Sequence, residues 1–307
     1  MGYFGNIIQP SSIDAMGVSH LNYAFAEIKD NRIWLLHQKT DTVNFRNLNE
    51  LKKINPDLMV IISIGGWKGS KHFSDAVLTD TSRSNFALSA VDIVNKYDLD
   101  GVDIDWEYPG MYGDSNLYRP EDRENYTLLF KDLREKLDAL SVLTHKKYFV
   151  TTAIGGSLGF LQHTDLAAAQ KYLDYISLMG YDFDESYDNI AAHHSNLFSP
   201  PDMPYIYSDD FCVRNLLKVG VKPSKIVMGV PFYGKGKIVN SSDNHGLYQI
   251  PVQAMAFWGG YTRIKDSLVN QNGFVRYWDD VSKMPYLFNE EKKMLIVYDD
   301  EESMKYK

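Results

Sequence analysis

The first 232 residues of the chain alternate short apolar runs with polar connections. The runs are rich in β-branched and aromatic residues, and their near-continuous hydrophobicity predicts strands that are buried on both faces. The seven predicted strands are 2–6, 20–28, 58–64, 101–107, 148–154, 175–181 and 225–232.

Segments with the apolar spacing of amphipathic helices lie between most of these strands. The predicted helices are 42–54, 81–97, 120–140, 165–172 and 209–219. Thr79 and Ser82 offer capping side chains at the start of the second helix, and Pro120 stands at the start of the third. This alternation of strand and helix favours a parallel sheet that is covered by helices.

Two α/β architectures fit the alternation, a doubly wound open sheet and a closed barrel. Polar or glycine-rich segments follow five of the strands, at 63–67, 105–108, 153–156, 179–182 and 231–234. In a barrel the carboxyl ends of all strands meet at one mouth, whereas in an open sheet they meet mainly at one switch point. We therefore predict a (β/α)8 TIM barrel.

The strand and helix rhythm stops after Phe232. Residues 235–300 form too long a stretch for a bare loop in a compact domain, so they predict an α+β insertion after strand 7. Residues 1–234 and 301–307 are assigned to the barrel. Because seven barrel strands are counted, we expect the barrel to be C-terminally incomplete, with strand 8 absent from this chain.

Composition and charge narrow the range of ligands. The chain has 307 residues, is 44% hydrophobic and carries a formal net charge of −8, so no broad basic surface is expected. This argues against binding to nucleic acid or electrostatic adherence to a membrane, and it suits a neutral ligand. Cys212 is the single cysteine, which excludes an intramolecular disulfide and predicts a buried small side chain.

Three acids alternate with apolar residues in the fourth predicted strand. Asp103, Asp105 and Glu107 are two positions apart, so in an extended strand they share one face. Carboxyl groups at this spacing share protons, and the pKa of at least one of them is expected to rise. Such a row suits general acid catalysis, while a solvated face and a magnesium site remain alternatives. A calcium EF-hand is excluded because Tyr108 stands where the motif needs glycine.

Four motifs together resemble those of the family 18 glycoside hydrolases, the chitinases. They are 100–110 (DGVDIDWEYPG), 63–67 (SIGGW), 179–182 (MGYD) and 229–234 (GVPFYG), and they occur in the family's order over nearly the whole chain. The resemblance implies a barrel enzyme that cleaves β-1,4-linked N-acetylglucosamine with retention, assisted by the acetamido group of the substrate itself. It implies no cofactor and no metal, a monomer, and an extracellular location that follows from the substrate, although the sequence shows no signal peptide.

The resemblance also implies roles for individual residues. Glu107 would be the general acid and then the general base, Asp105 would bond the acetamido N–H, and Asp103 would manage the proton balance. Tyr181 would donate its hydroxyl to the acetamido carbonyl oxygen, and Asp100 would be structural. The positions implied in binding chitin or chitooligosaccharides are Tyr3, Phe25, Ser63, Trp67, Tyr108, Met179 and Asp182, with Trp67 on the leaving-group side and Phe25 on the opposite arm.

Other aromatic and histidine residues receive weaker predictions. Trp106 belongs to the apolar row and is expected in the core, Trp258 and Trp278 could pack or contact sugar, and Trp34 has no assigned role. The pair His193 and His194 is expected in a solvated loop, because no third metal ligand stands at a suitable spacing.

Two other functions share these motifs. A chitin-binding lectin on the same barrel typically lacks the acid, so the presence of Glu107 weighs against it. An endo-β-N-acetylglucosaminidase that acts on glycoprotein glycans would use the same acid chemistry.

Overall fold

The computed structural model describes residues 6–186, 189–204 and 206–307. Tyr3, and all but the last residue of the predicted strand 2–6, therefore lie outside the described residues. The chain forms two compact units. The first contains the chain up to Ile154 with Leu158–Ser177 and Val219–Val227, and the second contains Gly155–Ser157, Leu178–Lys218 and Met228–Lys307.

A seven-stranded, mostly parallel sheet organises the first unit. Its strands are β1 (His20–Lys29), β2 (Arg32–Trp34), β3 (Met59–Gly65), β4 (Gly101–Asp105), β5 (Phe149–Ile154), β6 (Tyr175–Leu178) and β7 (Ile226–Met228). They are ordered β2-β1-β3-β4-β5-β6-β7; β1 pairs with β3, β3 with β4 and β4 with β5 in parallel, while β2 pairs with β1 antiparallel. The α/β class with a mainly parallel sheet is thus confirmed. Within the described residues, no pairing joins the two ends of this series.

Helices follow most of these strands. They are α1 (Gln38–Glu50), α2 (Gly66–Gly69), α3 (Phe73–Ala76), α4 (Asp80–Lys96), α5 (Asp122–Thr144), α6 (Leu158–Gln162), α7 (Leu166–Ala169) and α8 (Asp209–Lys218). The capping prediction for α4 is confirmed: Thr79 Oγ1 accepts from the backbone N–H of Ser82, and Ser82 Oγ accepts from the N–H of Thr79, each at 3.1 Å. The predicted helix 165–172 is shorter than expected and continues only to Ala169 as α-helix.

Buried aliphatic side chains hold the centre of the sheet. All five residues of β4 are buried, and the side chains of Ile61, Ile62, Val102 and Ile104 are 0% exposed. The prediction that the strands are buried on both faces holds for this central pair.

Several strands end earlier than the sequence pattern predicts. Strand β4 stops at Asp105, so Glu107 lies beyond the strand and the prediction of three acids on one strand is wrong for the third acid. Strand β6 stops at Leu178, and Gly180 then takes a positive φ of 68° that leaves the extended region. A Cβ at Gly180 would lie 2.6 Å from Asp209 Oδ1, so both space and conformation require glycine there.

A five-stranded antiparallel sheet organises the later part of the second unit. Its strands are β8 (Tyr233–Val239), β9 (Pro251–Gly260), β10 (Phe274–Asp279), β11 (Met284–Asn289) and β12 (Met294–Val297), in the order β10-β11-β12-β8-β9. Helix α9 (Tyr261–Ser267) connects β9 to β10. One cluster of buried side chains packs on this sheet through Ile264, Phe274, Leu287, Ile296 and Tyr298.

Crossing a bilayer needs a helix of about 20 mostly apolar residues. Of the helices in the described ranges, none meets that requirement.

Candidate active site

Asp103 is held from both neighbouring strands. The pairing register aligns Ser63 of β3, Asp103 of β4 and Thr151 of β5 in one row across the sheet. Ser63 donates to Asp103 Oδ2 at 2.7 Å, and Thr151 donates to Oδ1 at 2.6 Å. Burial raises the pKa of Asp103, and hydrogen bonds from Thr151, Ser63 and Asn22 partly oppose that rise.

Asp105 is the most strongly perturbed acid of the strand. Its side chain is buried, and its Oδ1 has no hydrogen-bond partner among the described residues. Burial raises the pKa of Asp105 well above its usual value, and the nearby charges of Glu107 and Asp103 raise it further. The raised pKa agrees with the prediction from the acid spacing.

Glu107 follows two residues after the end of β4, and its side chain is 9% exposed. Its backbone N–H donates to Ser70 Oγ at 2.9 Å. The peptide bond between Glu107 and Tyr108 is cis. Glu107 therefore lies on the loop that follows β4, and the side chain of Ser70 holds the backbone of this loop.

The loop after Glu107 is fastened to the first residue of α5. Asp122 is 0% exposed and accepts hydrogen bonds from the backbone N–H groups of Gly110 at 3.1 Å and Arg119 at 2.9 Å. Its other oxygen accepts from Ser74 Oγ at 2.6 Å. An acid at the first position of a helix is a recognisable sequence signal, but the loop partners of Asp122 depend on tertiary structure.

The first motif residue, Asp100, lies at the opposite end of β4. Asp100 Oδ2 accepts from the backbone N–H of Val60 at 2.7 Å, and the carboxylate forms ion pairs with Lys52 and Lys146. These contacts attach the start of β4, called the acid strand below, to Val60, Lys52 and Lys146.

Glycine allows β3 to approach the acid strand. Gly65 pairs with Asp105 and has a φ of 109°. A Cβ at this position would lie 2.2 Å from the carbonyl oxygen of Asp105. The first glycine of the 63–67 motif is thus required by close backbone packing.

Trp67 and Phe25 line the same cavity of about 410 Å³, together with Leu36, His37 and Lys68. Trp67 is 49% exposed and Phe25 is 39% exposed, and the ring of Tyr108 lies 6.4 Å from that of Trp67. The pairing of β1 with β3 brings Phe25 beside the Trp67 turn. The expectation that Phe25 lies on the arm opposite Trp67 stays a prediction.

Asp182 is surrounded by donors in the second unit. Tyr233 donates its hydroxyl to Asp182 Oδ1 at 2.7 Å, and Lys235 Nζ lies 2.7 Å from the same oxygen. Burial alone would raise the pKa of Asp182, but the nearby imidazole of His194 and the charge of Lys235 lower it to about 2. The ring of Tyr181 lies 6.1 Å from that of Tyr233, and Met179 is half-buried two residues before Tyr181.

His193 and His194 are buried, which corrects the prediction of a solvated loop. They are 1% and 0% exposed. His193 Nε2 lies 3.2 Å from Asp279 Oδ2, whereas His194 Nδ1 lies 3.6 Å from Asp182 Oδ1. Burial follows from backbone pairing of the neighbouring Ala191 with Gln249 and Tyr248, which draws this segment against the second sheet.

Asp182, Asp184 and His194 offer ligand atoms that lie within 4.8 Å of one another. The ammonium of Lys235 lies among these groups, at 2.7 Å from Asp182 and 3.4 Å from Asp184. A protein cation therefore already balances these carboxylates.

The remaining tryptophans divide by exposure. Trp106 is 1% exposed and stacks on Phe73 at 5.1 Å, as the apolar row predicts. Trp258 is exposed beside Tyr233, and Trp278 lies 5.8 Å from Tyr306.

Comparison with known proteins places the chain in a family. The profile described as "Glycosyl hydrolases family 18" matches residues 1–307. The chain is 36% identical to "Chitinase A1" of Niallia circulans, in an alignment that covers 99% of this chain and 52% of that protein. It is 31% identical to "Endochitinase 1" of Metarhizium robertsii, with 100% and 74% covered. The chain thus spans about half the length of the Niallia circulans relative.

Comparison with solved structures indicates the same family as the sequence comparison. A glycoside hydrolase family 18 N-acetylglucosaminidase from Paenibacillus barengoltzii superposes with a TM-score of 0.89 at 36% identity, over 97% of this chain and 86% of that one. Chitinase ChiA74 from Bacillus thuringiensis gives a TM-score of 0.91 at 31% identity, over 99% and 60%. With the profile match over its full length, the chain belongs to family 18 of the glycosyl hydrolases.

Proposed function

We propose that the protein hydrolyses β-1,4-N-acetylglucosamine linkages in chitin or chitooligosaccharides by a retaining, substrate-assisted mechanism. The observation that carries the proposal is the buried acid row that ends at Glu107, in which Asp105 has a strongly raised pKa. A buried carboxyl with a raised pKa can support general acid chemistry next to it.

In this mechanism Glu107 protonates the glycosidic oxygen and later activates a water molecule. Asp105 bonds the acetamido N–H and stabilises the ring-closed intermediate that the acetamido group forms. Asp103, with both carboxylate oxygens bonded to hydroxyl groups, tunes the proton that it shares with Asp105.

The side chains of Tyr181 and Asp182 suit an acetamido sugar. Tyr181 donates its hydroxyl to the acetamido carbonyl oxygen and so orients it for attack. Asp182, held ionised by Lys235 and His194, accepts hydrogen bonds from the sugar. We assign further substrate contacts to Tyr3, Phe25, Ser63, Trp67, Tyr108 and Met179, and a structural role to Asp100.

The same proposal extends to architecture and location. The family and the mainly parallel sheet support a TIM barrel into which residues 235–300 are inserted after the seventh strand. A polymeric chitin substrate also supports an extracellular enzyme, and we propose that it acts as a monomer.

The test is release of a fluorophore from a chitobiose glycoside. Glu107→Gln removes the general acid and is expected to lower kcat by about 10²–10⁴-fold in a variant that remains folded. Glu135→Gln is the matched control, because Glu135 is an exposed residue of α5 that pairs with Lys131 at 3.8 Å. Equal turnover by Glu107→Gln and the control would exclude Glu107 from the proposed role.

A second candidate function, that of an N-acetylglucosaminidase, is favoured by the similarity of the chain to the Paenibacillus barengoltzii enzyme. Digestion of chitooligosaccharides distinguishes the two, because a chitinase releases mainly chitobiose whereas an N-acetylglucosaminidase releases the monosaccharide. Release of intact glycans from a glycoprotein would instead indicate the endo-β-N-acetylglucosaminidase. Binding without any turnover would indicate the lectin.

A further inference from the structure

The hydroxyl group of Ser70 lies beside the segment between the end of β4 and Glu107. Ser70 is 0% exposed and begins the short 3₁₀ turn Ser70–His72 that follows α2. Its Oγ accepts the backbone N–H of Glu107 at 2.9 Å. It also lies 2.9 Å from the carbonyl oxygen of Gly66 and 3.1 Å from that of Asp105, and its single hydrogen can be donated to either.

The Ser70 hydroxyl replaces a strand partner for the backbone N–H that follows the end of the sheet pairing. The pairing of β3 with β4 ends at Gly65 and Asp105, so the N–H of Glu107 comes after the last residue pair of that ladder. A buried N–H without a hydrogen-bond partner destabilises the fold, and Ser70 supplies the partner. The main chain that carries Glu107 is therefore held by a side chain from the turn after β3.

The same hydroxyl joins two parts of the first unit. Its contact with Gly66 reaches the first residue of α2, the turn that carries Trp67. Its contacts with Asp105 and Glu107 lie on the acid strand and its extension. Ser70 Oγ thus contacts both the backbone of the turn that carries Trp67 and the backbone of Glu107.

We propose that Ser70 is a positioning residue that sets the placement of the Glu107 carboxyl through the Glu107 backbone. The proposal rests on the proposed function, because it assigns Ser70 a role in placing the general acid. Because Ser70 is 0% exposed, we expect its loss to act on the chemical step through the position of Glu107.

The expected effect follows from the sensitivity of proton transfer to distance. A shift of about 1 Å in a catalytic group can lower the rate by about 10²-fold. Ser70→Ala is expected to lower kcat on the chitobiose glycoside by about 10- to 100-fold and to leave KM within about twofold of wild type, because only an interaction made in the transition state is weakened. Ser70→Thr keeps the hydroxyl and should retain most of the rate.

Ser89 provides a closely matched control. It is 4% exposed, donates its hydroxyl to the carbonyl oxygen of Phe86 at 2.7 Å and accepts the backbone N–H of Ile33 at 2.9 Å. Ser89→Ala therefore removes the same kind of buried hydroxyl, with the same pair of backbone contacts, without touching the acid strand. It is expected to lower the melting temperature and leave kcat unchanged.

The outcomes separate the inference from the function on which it rests. If wild type turns over substrate and Glu107→Gln does not, a kcat for Ser70→Ala equal to that of Ser89→Ala overturns the positioning role alone. If wild type has no turnover on any chitooligosaccharide, both proposals fall together. Should Ser70→Ala not fold, Ser70→Cys keeps the side-chain size with a poorer acceptor, and a wild-type kcat in that variant would also overturn the role.

Discussion

Thr151 donates a 2.6 Å hydrogen bond from strand β5 to Oδ1 of Asp103 on β4. Because Ser63 occupies the other oxygen, both sides of the Asp103 carboxylate are satisfied by donors, which favours its ionised form against the effect of burial. Asp105, two residues further along, has no partner for Oδ1 among the described residues. The pKa of Asp105 is therefore raised further above its usual value than that of Asp103.

Asp105→Asn should raise the melting temperature near neutral pH and lower kcat. A carboxyl whose pKa is raised in the folded state costs stability as pH increases through that pKa, and costs nothing below its unfolded value of about 3.9. The amide never ionises, so the variant should melt at a higher temperature than wild type near pH 7.5. The difference should shrink towards pH 4, while kcat falls by about 10-fold or more.

Calorimetry across this pH range is the measurement, with Asp92→Asn as control. Asp92 is a surface residue with a 70% exposed side chain that pairs with Arg32 at 3.6 Å, so its replacement should leave the melting temperature nearly unchanged at every pH. A lower melting temperature for Asp105→Asn near pH 7.5 would contradict the raised pKa.

Trp67→Ala should weaken binding of chitooligosaccharides. Trp67 is 49% exposed on a cavity wall, and the loss of one stacking face of this size is worth about 1.5–3 kcal/mol, or roughly 10-fold or more in KM. Trp34→Ala is the control, because Trp34 is 47% exposed but does not line that cavity. Steady-state kinetics on chitotetraose measures the effect, and equal KM values for the two variants would remove Trp67 from the substrate site.

Lys235→Met should destabilise the second unit. The side chain of Lys235 is 6% exposed and its ammonium contacts Asp182, Asp184 and Glu185. Removal of one partner from a buried ion pair costs about 3–5 kcal/mol, and the low end is expected because the side chain of Asp182 is 35% exposed and Lys237 remains 3.4 Å from Asp184.

The loss should also depend on pH. The pKa of Asp182 is lowered to about 2 in the folded protein, so the stability it contributes is present above its unfolded value and is lost as pH falls towards 2. Urea unfolding should show the largest difference between wild type and Lys235→Met near pH 7 and a smaller one below about pH 4. Lys265→Met, which removes an exposed partner of Glu301 at 2.9 Å, should leave the free energy of unfolding nearly unchanged at either pH. A pH-independent loss for Lys235→Met would show that the ion pairs do not cause it.

Much of the first unit could be read from local patterns. Alternating acids and apolar residues in 101–105 predict a strand with Asp103 and Asp105 on one side, because successive side chains of a strand point to opposite faces. The cap of α4 by Thr79 could be read in the same way, since its hydrogen bonds span only three residues. The four motifs also indicated the family, because they combine residue types at fixed short spacings.

The sequence by itself therefore determined the periodicity of each element, the spacing of the acids and the family resemblance. Tertiary structure decided which distant side chains contact these acids. Thr151 contacts Asp103 through the register of β4 with β5. Ser70 contacts Glu107 because β3 and β4 are neighbours. It also decided that Phe25 lies beside Trp67 and that His194 is buried near Asp182. Local spacing specifies the direction of a side chain along its own element, whereas its partners depend on strand order and register, which are set by packing across the whole chain.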